Sequence, residues 1–204
     1  GRIDGSSRFG ANSRYGFFPS AAVGWVLSEE NFLKSNSIIS FLKLRASYGL
    51  TGNAEIGNFP QLGLFQGDAG YAGAAGQRPS QIGNPNLKWE TTEQKDIGVD
   101  LGILNNRILL TADYYVKNTR DLLNTVVLPS SLGFTSTIQN IGEVQNKGIE
   151  LGIDGRIFTG AFKWDVNTNI SFNRNKVVKL YGGGDILTGN VNVVVINDVT
   201  SILR

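Results

Sequence analysis

Strict alternation of apolar and polar side chains constrains this chain more than any other feature. Over residues 162–173, Phe162, Trp164, Val166, Thr168, Ile170 and Phe172 share one parity, and Lys163, Asp165, Asn167, Asn169, Ser171 and Asn173 share the other. Successive side chains of a strand point to opposite faces, so this stretch predicts a strand with one greasy, aromatic face and one polar face. The stretch before it repeats the pattern: Ile149, Leu151, Ile153 and Ile157 alternate with Glu150, Gly152, Asp154 and Arg156. The link between them, 158–161, contains Gly160 and predicts a short hairpin connection.

Two further pairs read the same way. Ile97, Val99, Leu101 and Ile103 alternate with Asp96, Gly98, Asp100 and Gly102. A tight turn at Asn105-Asn106 follows, since Asn tolerates positive φ. The partner strand then carries Ile108, Leu110, Ala112, Tyr114 and Val116 on one face. In the third pair, Leu42, Leu44, Ala46 and Tyr48 alternate with Lys43, Arg45, Ser47 and Gly49, preceded by a strand over 19–28 with Val23, Trp25 and Leu27 on one face. Within 29–40, Ser28 followed by Glu29-Glu30 and Phe32-Leu33 predicts a short helix.

Six strands in three hairpins result, with connections that alternate in length. Short or medium ones fall at 29–40, 105–106 and 158–161; long, irregular ones, rich in Gly, Asn, Gln, Ser and Thr, at 51–88, at 120–143 and from near 176. Outer-membrane barrels combine short turns at one end with long loops at the other. Trp25, Phe158, Phe162 and Trp164 fall near the short turns, and Tyr48, Tyr114, Tyr115 and Phe172 nearer the long loops, as two aromatic girdles would require. Alternation also builds soluble sandwiches, in which a second sheet covers the apolar face. The two readings differ in what covers Trp164, Ile170 and Phe172.

Composition removes much chemistry. The chain has no Cys, His or Met, which excludes a disulfide scaffold, a thiolate metal site and a Ser-His-Asp arrangement. No catalytic, metal or cofactor-binding set is expected, and nothing supports an enzyme. The net charge is +2 with scattered cations, so nucleic acid has no electrostatic footprint. The longest apolar run, 193–196, is far short of a membrane helix, and no signal peptide is apparent. Glu29-Glu30 suits a helix start rather than acid–base work. Gly182-Gly-Gly-Asp185 lacks the Lys-Ser/Thr of a phosphate loop and reads as a surface loop. Pro85 reads as part of a strand entry. The candidate substrate contacts are Asp96 and Asp100 on the inferred lumen face, alongside Glu150 and Asp154. In the loops they are Phe65, Tyr71, Arg78 and Phe134, whose rings and guanidinium could hold a sugar or peptide or pack on neighbouring loops.

An ordered series of motifs resembles the SusC/RagA-type TonB-linked outer-membrane proteins. It includes Asp4-Gly-Ser-Ser-Arg-Phe-Gly10, Phe18-Pro-Ser20, Leu42-Lys-Leu-Arg-Ala-Ser-Tyr-Gly49, Thr51-Gly-Asn53, Asn84-Pro-Asn-Leu-Lys-Trp-Glu90, Asp121-Leu-Leu123, Asn140-Ile-Gly142 and Asn146-Lys-Gly-Ile-Glu150, and it runs to about Gly184. The resemblance implies an all-β fold: antiparallel up-and-down strands forming part of a large transmembrane outer-membrane β-barrel of roughly 22 strands. Residues 1–204 are then expected to be a partial barrel domain without the plug, the signal peptide and the terminal strands. It further implies import of oligosaccharides or peptides with energy from the TonB complex, reached through parts absent here. The implied partners are a SusD-like lid lipoprotein and outer-membrane lipid, in the outer membrane of a Bacteroidetes-type Gram-negative cell, with no cofactor. The alternative expectation is an autonomous soluble β-sandwich, a carbohydrate-binding module or adhesin.

Overall fold

The computed structural model describes residues 1–70 and 72–179. In chain order its strands are β1 (Arg2–Gly5), β2 (Tyr15–Phe18), β3 (Ser20–Val26), β4 (Ile39–Asn53), β5 (Leu64–Gln66), β6 (Arg78–Gln81), β7 (Glu90–Ile103), β8 (Ile108–Arg120), β9 (Leu123–Val127), β10 (Ser136–Asn140), β11 (Glu143–Thr159) and β12 (Lys163–Lys179). Six of them form one sheet in the order β12-β11-β8-β7-β4-β3, every neighbour antiparallel. These are the six strands and three hairpins that the alternation predicts. The other six form two-stranded sheets, β1-β2, β5-β6 and β9-β10.

Register turns the alternation into two walls. Val23, Ala46, Ile97, Tyr114, Ile149 and Phe172 form one row across all six strands. The next row toward the short turns is Trp25, Leu44, Val99, Ala112, Leu151 and Ile170. Along β12 the apolar wall runs from Trp164 to Phe172, about 27 Å of strand, or about 21 Å of height at the usual barrel tilt, close to the apolar band of such barrels. No second sheet lies over this wall among the described residues: Trp164, Ile170 and Phe172 are 50%, 51% and 62% exposed. The sandwich expectation fails here, since a sandwich core would bury those side chains.

Other expectations need correction. In place of a helix within 29–40 there is a 3-10 turn at Leu27–Glu29, then hydrogen-bonded turns over 30–36. The stretch is too short to repay helix nucleation, and its polar side chains tie it to the strand ends. Trp25 Nε1 donates to Glu30 Oε1 (2.9 Å), and Asn36 Oδ1 accepts from the amides of Ile38 and Ile39. The long segments are less irregular than expected, because they contain β5-β6 and β9-β10, and β12 runs on to Lys179. The β1-β2 hairpin lacked an alternation long enough to announce it. A bulge between Arg156 and Phe158 sets Phe158, not Ile157, opposite Trp164. Tyr115 pairs with Asp96 on the polar face and so leaves the outward girdle.

The Asn105-Asn106 turn is present, with φ of 58° at both residues and a bond from the Arg107 amide to the Leu104 carbonyl (3.2 Å). Leu104 is left-handed too, at 54°. Its amide bonds the Ile38 carbonyl, and the Asn105 amide bonds Ser40 Oγ (2.7 Å), which anchors this turn to β4.

The two walls respond differently to charge. In the intact protein that contains this chain, folded into lipid vesicles, Ile170→Arg is expected to lower guanidinium unfolding stability by about 2–4 kcal/mol. Ser171→Arg, one residue away on the other wall, is expected to cost much less. Equal losses would show that the outer wall does not face lipid.

Candidate functional site

Inward parity brings together Arg45 of β4, Asp100 of β7 and Asp113 of β8. Arg45 Nε and one terminal nitrogen grip both oxygens of Asp100 (2.8 and 2.9 Å), and that nitrogen also reaches Asp113 (2.9 Å). A guanidinium fork matches a carboxylate in two-point geometry and holds a fixed orientation. All three side chains are partly shielded. Gly98 lies directly beneath: a Cβ there would collide with Asp113 Oδ1 and the Arg45 guanidinium. Asp113 stands opposite Glu150 in the ladder, a like-charge pair that costs energy; the contact with Arg45 offsets it. Asp96 lines a hollow of about 290 Å³ with Lys43, Arg45 and Ser47 at the β3 side of the sheet.

At the other end of the strands the loops build a core of their own. Phe9 and Leu87 are fully buried and Phe18 nearly so. Trp89 packs against both Phe9 and Phe18, with ring centroids 5.1 and 5.4 Å away, and its Nε1 donates to the Arg14 carbonyl (3.3 Å). Gly10 is required here, because a side chain would run into the Pro85 carbonyl. Asn84 Oδ1 accepts from the Asn86 amide (3.1 Å), and Asn84 Nδ2 donates to the Ile138 carbonyl (3.0 Å). Asn140 acts as a strand would. Its Oδ1 accepts from the Lys88 amide (2.9 Å) and its Nδ2 donates to the carbonyls of Lys88 (2.7 Å) and Asp121 (2.9 Å). Lys88 pairs with Asp121 (2.8 Å), and Glu90 accepts from the Leu123 amide (3.1 Å). The 84–90 motif therefore clamps the β9-β10 hairpin onto the barrel wall. Between them lies a cavity of about 550 Å³ lined by Asn86, Lys88, Asp121, Leu132, Thr137 and Gln139, among others.

The sequence candidates scatter over this frame. Phe134 lines a separate hollow of about 240 Å³ with Pro60, Gln81 and Thr125. Phe65 and Arg78 sit on the β5-β6 hairpin, Phe65 68% exposed and in neither hollow. Arg78 is engaged by Asp68 through two bonds of 2.7 Å, and Asp68 also accepts from Gln66. Hydrogen bonds from Arg78 hold the Asp68 carboxyl down to about 2. Tyr71 lies outside the described residues, as does Gly182-Gly-Gly-Asp185. Asp100 is committed to Arg45, while Asp96 lines the hollow it shares with Lys43 and Ser47. Sequence reasoning missed Arg45 and Asp113, whose inward parity was legible but whose register was not, and Asn84 and Asn140, whose roles lie across a long loop. Among the described residues no cluster of His, Cys, Asp and Glu could hold a metal ion.

Two outcomes follow from this geometry. Gly98→Ala should force the Arg45 contacts apart and lower unfolding stability of the intact protein by about 1–3 kcal/mol; an unchanged midpoint would contradict the crowding at Gly98. Asp68 has a depressed folded pKa, so its contribution is complete above the ordinary carboxyl value of 3.8 and is lost as pH falls toward 2. Pepsin cleavage between β5 and β6, measured relative to Asp68→Asn, should therefore rise from pH 4 to pH 2. A constant ratio would remove the ion pair from the account of this hairpin.

Comparison with known proteins agrees with this architecture. A family described as TonB dependent receptor-like, beta-barrel matches residues 1–194. TonB-dependent receptor P3 of Formosa agariphila is 43% identical over 209 residues, covering 100% of this chain and 21% of that protein. TonB-dependent receptor SusC of Bacteroides thetaiotaomicron is 43% identical over 197 residues, covering 90% of this chain and 19% of SusC. Among solved structures, the RagAB peptide importer in its "closed-closed" state superposes with a TM-score of 0.86 at 35% identity, over 92% of this chain and 21% of that one. The chain thus spans about a fifth of the length of these relatives. Its six-stranded sheet is part of an outer-membrane barrel, and the chain belongs to the TonB-dependent receptor-like β-barrel family, in its SusC/RagA type.

Proposed function

We propose that this chain is a barrel segment, 1–204, of an outer-membrane importer that takes up oligosaccharides or peptides with energy delivered through TonB. The observation that carries the reading is the two-walled sheet, apolar outside and charged within, which superposes on a peptide importer at a TM-score of 0.86. In this reading the hydrocarbon-facing wall holds the segment in the outer membrane of a Bacteroidetes-type cell. The wall bearing Arg45, Asp96 and Asp100 lines the path of the cargo. The clamped β9-β10 hairpin, with Phe134, and the β5-β6 hairpin, with Phe65 and Arg78, form the outer vestibule, where cargo and a SusD-like lid lipoprotein dock. An exposed ring such as Phe65 offers a face for stacking on a sugar or peptide side chain, and a cavity of about 550 Å³ is of ligand-site size.

Deleting the gene in its own organism tests this. Growth on one class of oligosaccharide or peptide as sole nutrient should be lost and restored by the intact gene. Loss of TonB should reproduce the defect. Restoration should fail for a version lacking 122–141, the β9-β10 loop, if that version still reaches the surface. Normal growth of the deletion strain on every such nutrient would refute the importer reading.

A further inference from the structure

The β9-β10 ribbon is a two-stranded sheet of its own, and the phase of its ladder shows which main-chain groups are already engaged. The Leu128 amide bonds the Thr135 carbonyl (2.9 Å) at one end, and the Ile141 amide bonds the Leu122 carbonyl (2.8 Å) at the other. Between them the register runs unbroken from Val127↔Ser136 to Leu123↔Asn140. Bonded and unbonded pairs alternate along an antiparallel ladder. Asn124 and Val126 therefore direct their N–H and C=O groups at β10, and Leu123, Thr125 and Val127 turn theirs away from it. Two side chains agree with this phase. Glu90 Oε2 accepts from the Leu123 amide (3.1 Å), and Asn84 Nδ2 donates to the Ile138 carbonyl (3.0 Å) on the opposite edge.

Three properties set the outer edge of β9 apart. The first is that it is open: among the described residues nothing bonds the outward main-chain groups of Thr125 and Val127, and both residues are exposed, Val127 by 81%. The second is that it is undefended. Exposed edges are commonly blunted by Lys, Pro or a bulge, and β9 has none of the three. The third is a side-chain pocket beside it. The hollow of about 240 Å³ lined by Thr125 and Phe134 also has Pro60, Ile82 and Ile138 in its wall, and no charged side chain. An apolar hole of about 150 Å³ already accepts benzene, so the hollow has room for an aromatic side chain. Outward N–H and C=O groups recurring at every second residue, about 6.8 Å apart, are matched by another extended main chain and not by the hydroxyls of a sugar. In an antiparallel pair the residue opposite Thr125 puts its side chain on the Thr125 face, at the mouth of the hollow.

We propose that the outer edge of β9 captures cargo as an extended peptide, which adds a third, antiparallel strand to the ribbon through Thr125 and Val127 and sets one bulky, uncharged side chain into the hollow at Phe134. The inference rests on the importer reading above and deepens it by choosing peptides over oligosaccharides. The main-chain bonds tolerate many sequences and the hollow selects one side chain, a division of labour that strand addition permits. The Glu90 cap at Leu123 and Pro129 beyond Val127 bound the edge, so a short stretch of peptide fills it.

Calorimetric titration of the intact protein in neutral detergent tests the site. The probe is an end-blocked heptapeptide, Thr-Ser-Thr-Phe-Thr-Ser-Thr. N-methylation at its Phe should weaken binding about tenfold, because a main-chain bond is lost and its acceptor left unpaired. N-methylation at either Thr beside the Phe, whose N–H points away from β9, should leave the affinity unchanged. Thr125→Pro, which removes an outward donor and keeps every bond to β10, should also weaken the unmodified probe about tenfold. Phe134→Ala should reduce the preference for Phe over Ala at the centre of the probe. Folding of each variant is checked by resistance to SDS without heating, and the N-methylated probes on the wild type need no variant at all. Absence of binding at millimolar peptide, or equal sensitivity to N-methylation at both parities, would overturn the proposal. Displacement of the probe by an equimolar amount of maltoheptaose would overturn it too, by giving the site to a sugar, as would a dimer that Thr125→Pro dissolves, by giving the edge to a second copy. Parity-dependent binding by a protein whose deletion strain grows on every nutrient would instead uphold the edge and refute the importer reading.

Discussion

Hydrocarbon offers no partner for a backbone N–H or C=O, and the rest of the structure depends on meeting that condition. Each unsatisfied group there costs several kcal/mol, so a membrane wall of strands must be laddered continuously. The pairing does this from β3 to β12, with β7 and β8 paired without a break from Thr91↔Arg120 to Ile103↔Ile108. Irregularities are confined to strand ends: at Ile39/Phe41 and Arg156/Phe158 near the short turns, and at Glu143/Val144 near the loops. A bulge leaves a residue unpaired, and only at the ends can water reach it.

Once the ladder is fixed, the two faces meet different demands with the same backbone. The outer face needs bulk and no charge, and receives Val, Ile, Leu and aromatics. The inner face needs room for long polar side chains to cross between strands. Gly98 supplies that room for Arg45, which reaches over β7 to Asp113. An isolated charge on that wall would gain little from a high-dielectric lumen. A guanidinium shared by two carboxylates is different, because its orientation is set by four bonds to two strands and it links β4, β7 and β8 side to side.

Period-two patterning made the six barrel strands and their pairing legible, because lipid and lumen impose opposite chemistry at every step. Where that imposition stops, legibility stops too. The β1-β2 and β5-β6 strands are three or four residues long, too few for a period to register. Within 29–40 the Ser-Glu-Glu signal was real, yet the segment is a turn, because Asn36 and Glu30 find partners at strand ends that a local helix reading does not see. The candidate contacts fared similarly. Asp100 lies on the polar face of the sheet, but only register shows that Arg45 already holds it. Phe134 faces a hollow and Phe65 does not, a difference that loop composition does not carry.

The outer loops differ from ordinary connections in being tied down by side chains that imitate backbone. The Asn140 amide presents one donor and one acceptor to Lys88, the pattern of a strand neighbour, and spends its second donor on Asp121. Ile141 adds a main-chain bond to Leu122, closing the base of the β9-β10 hairpin against the end of β8. Beneath it Leu87 is sealed from solvent, and Trp89 spans the gap to Phe9 and Phe18. A buried core outside the membrane band explains why motifs such as Asn84-Pro-Asn-Leu-Lys-Trp-Glu90 stand out in a loop. They hold the β9-β10 hairpin in a fixed place over the cavity behind it. The clamp beneath the tips belongs to the fold.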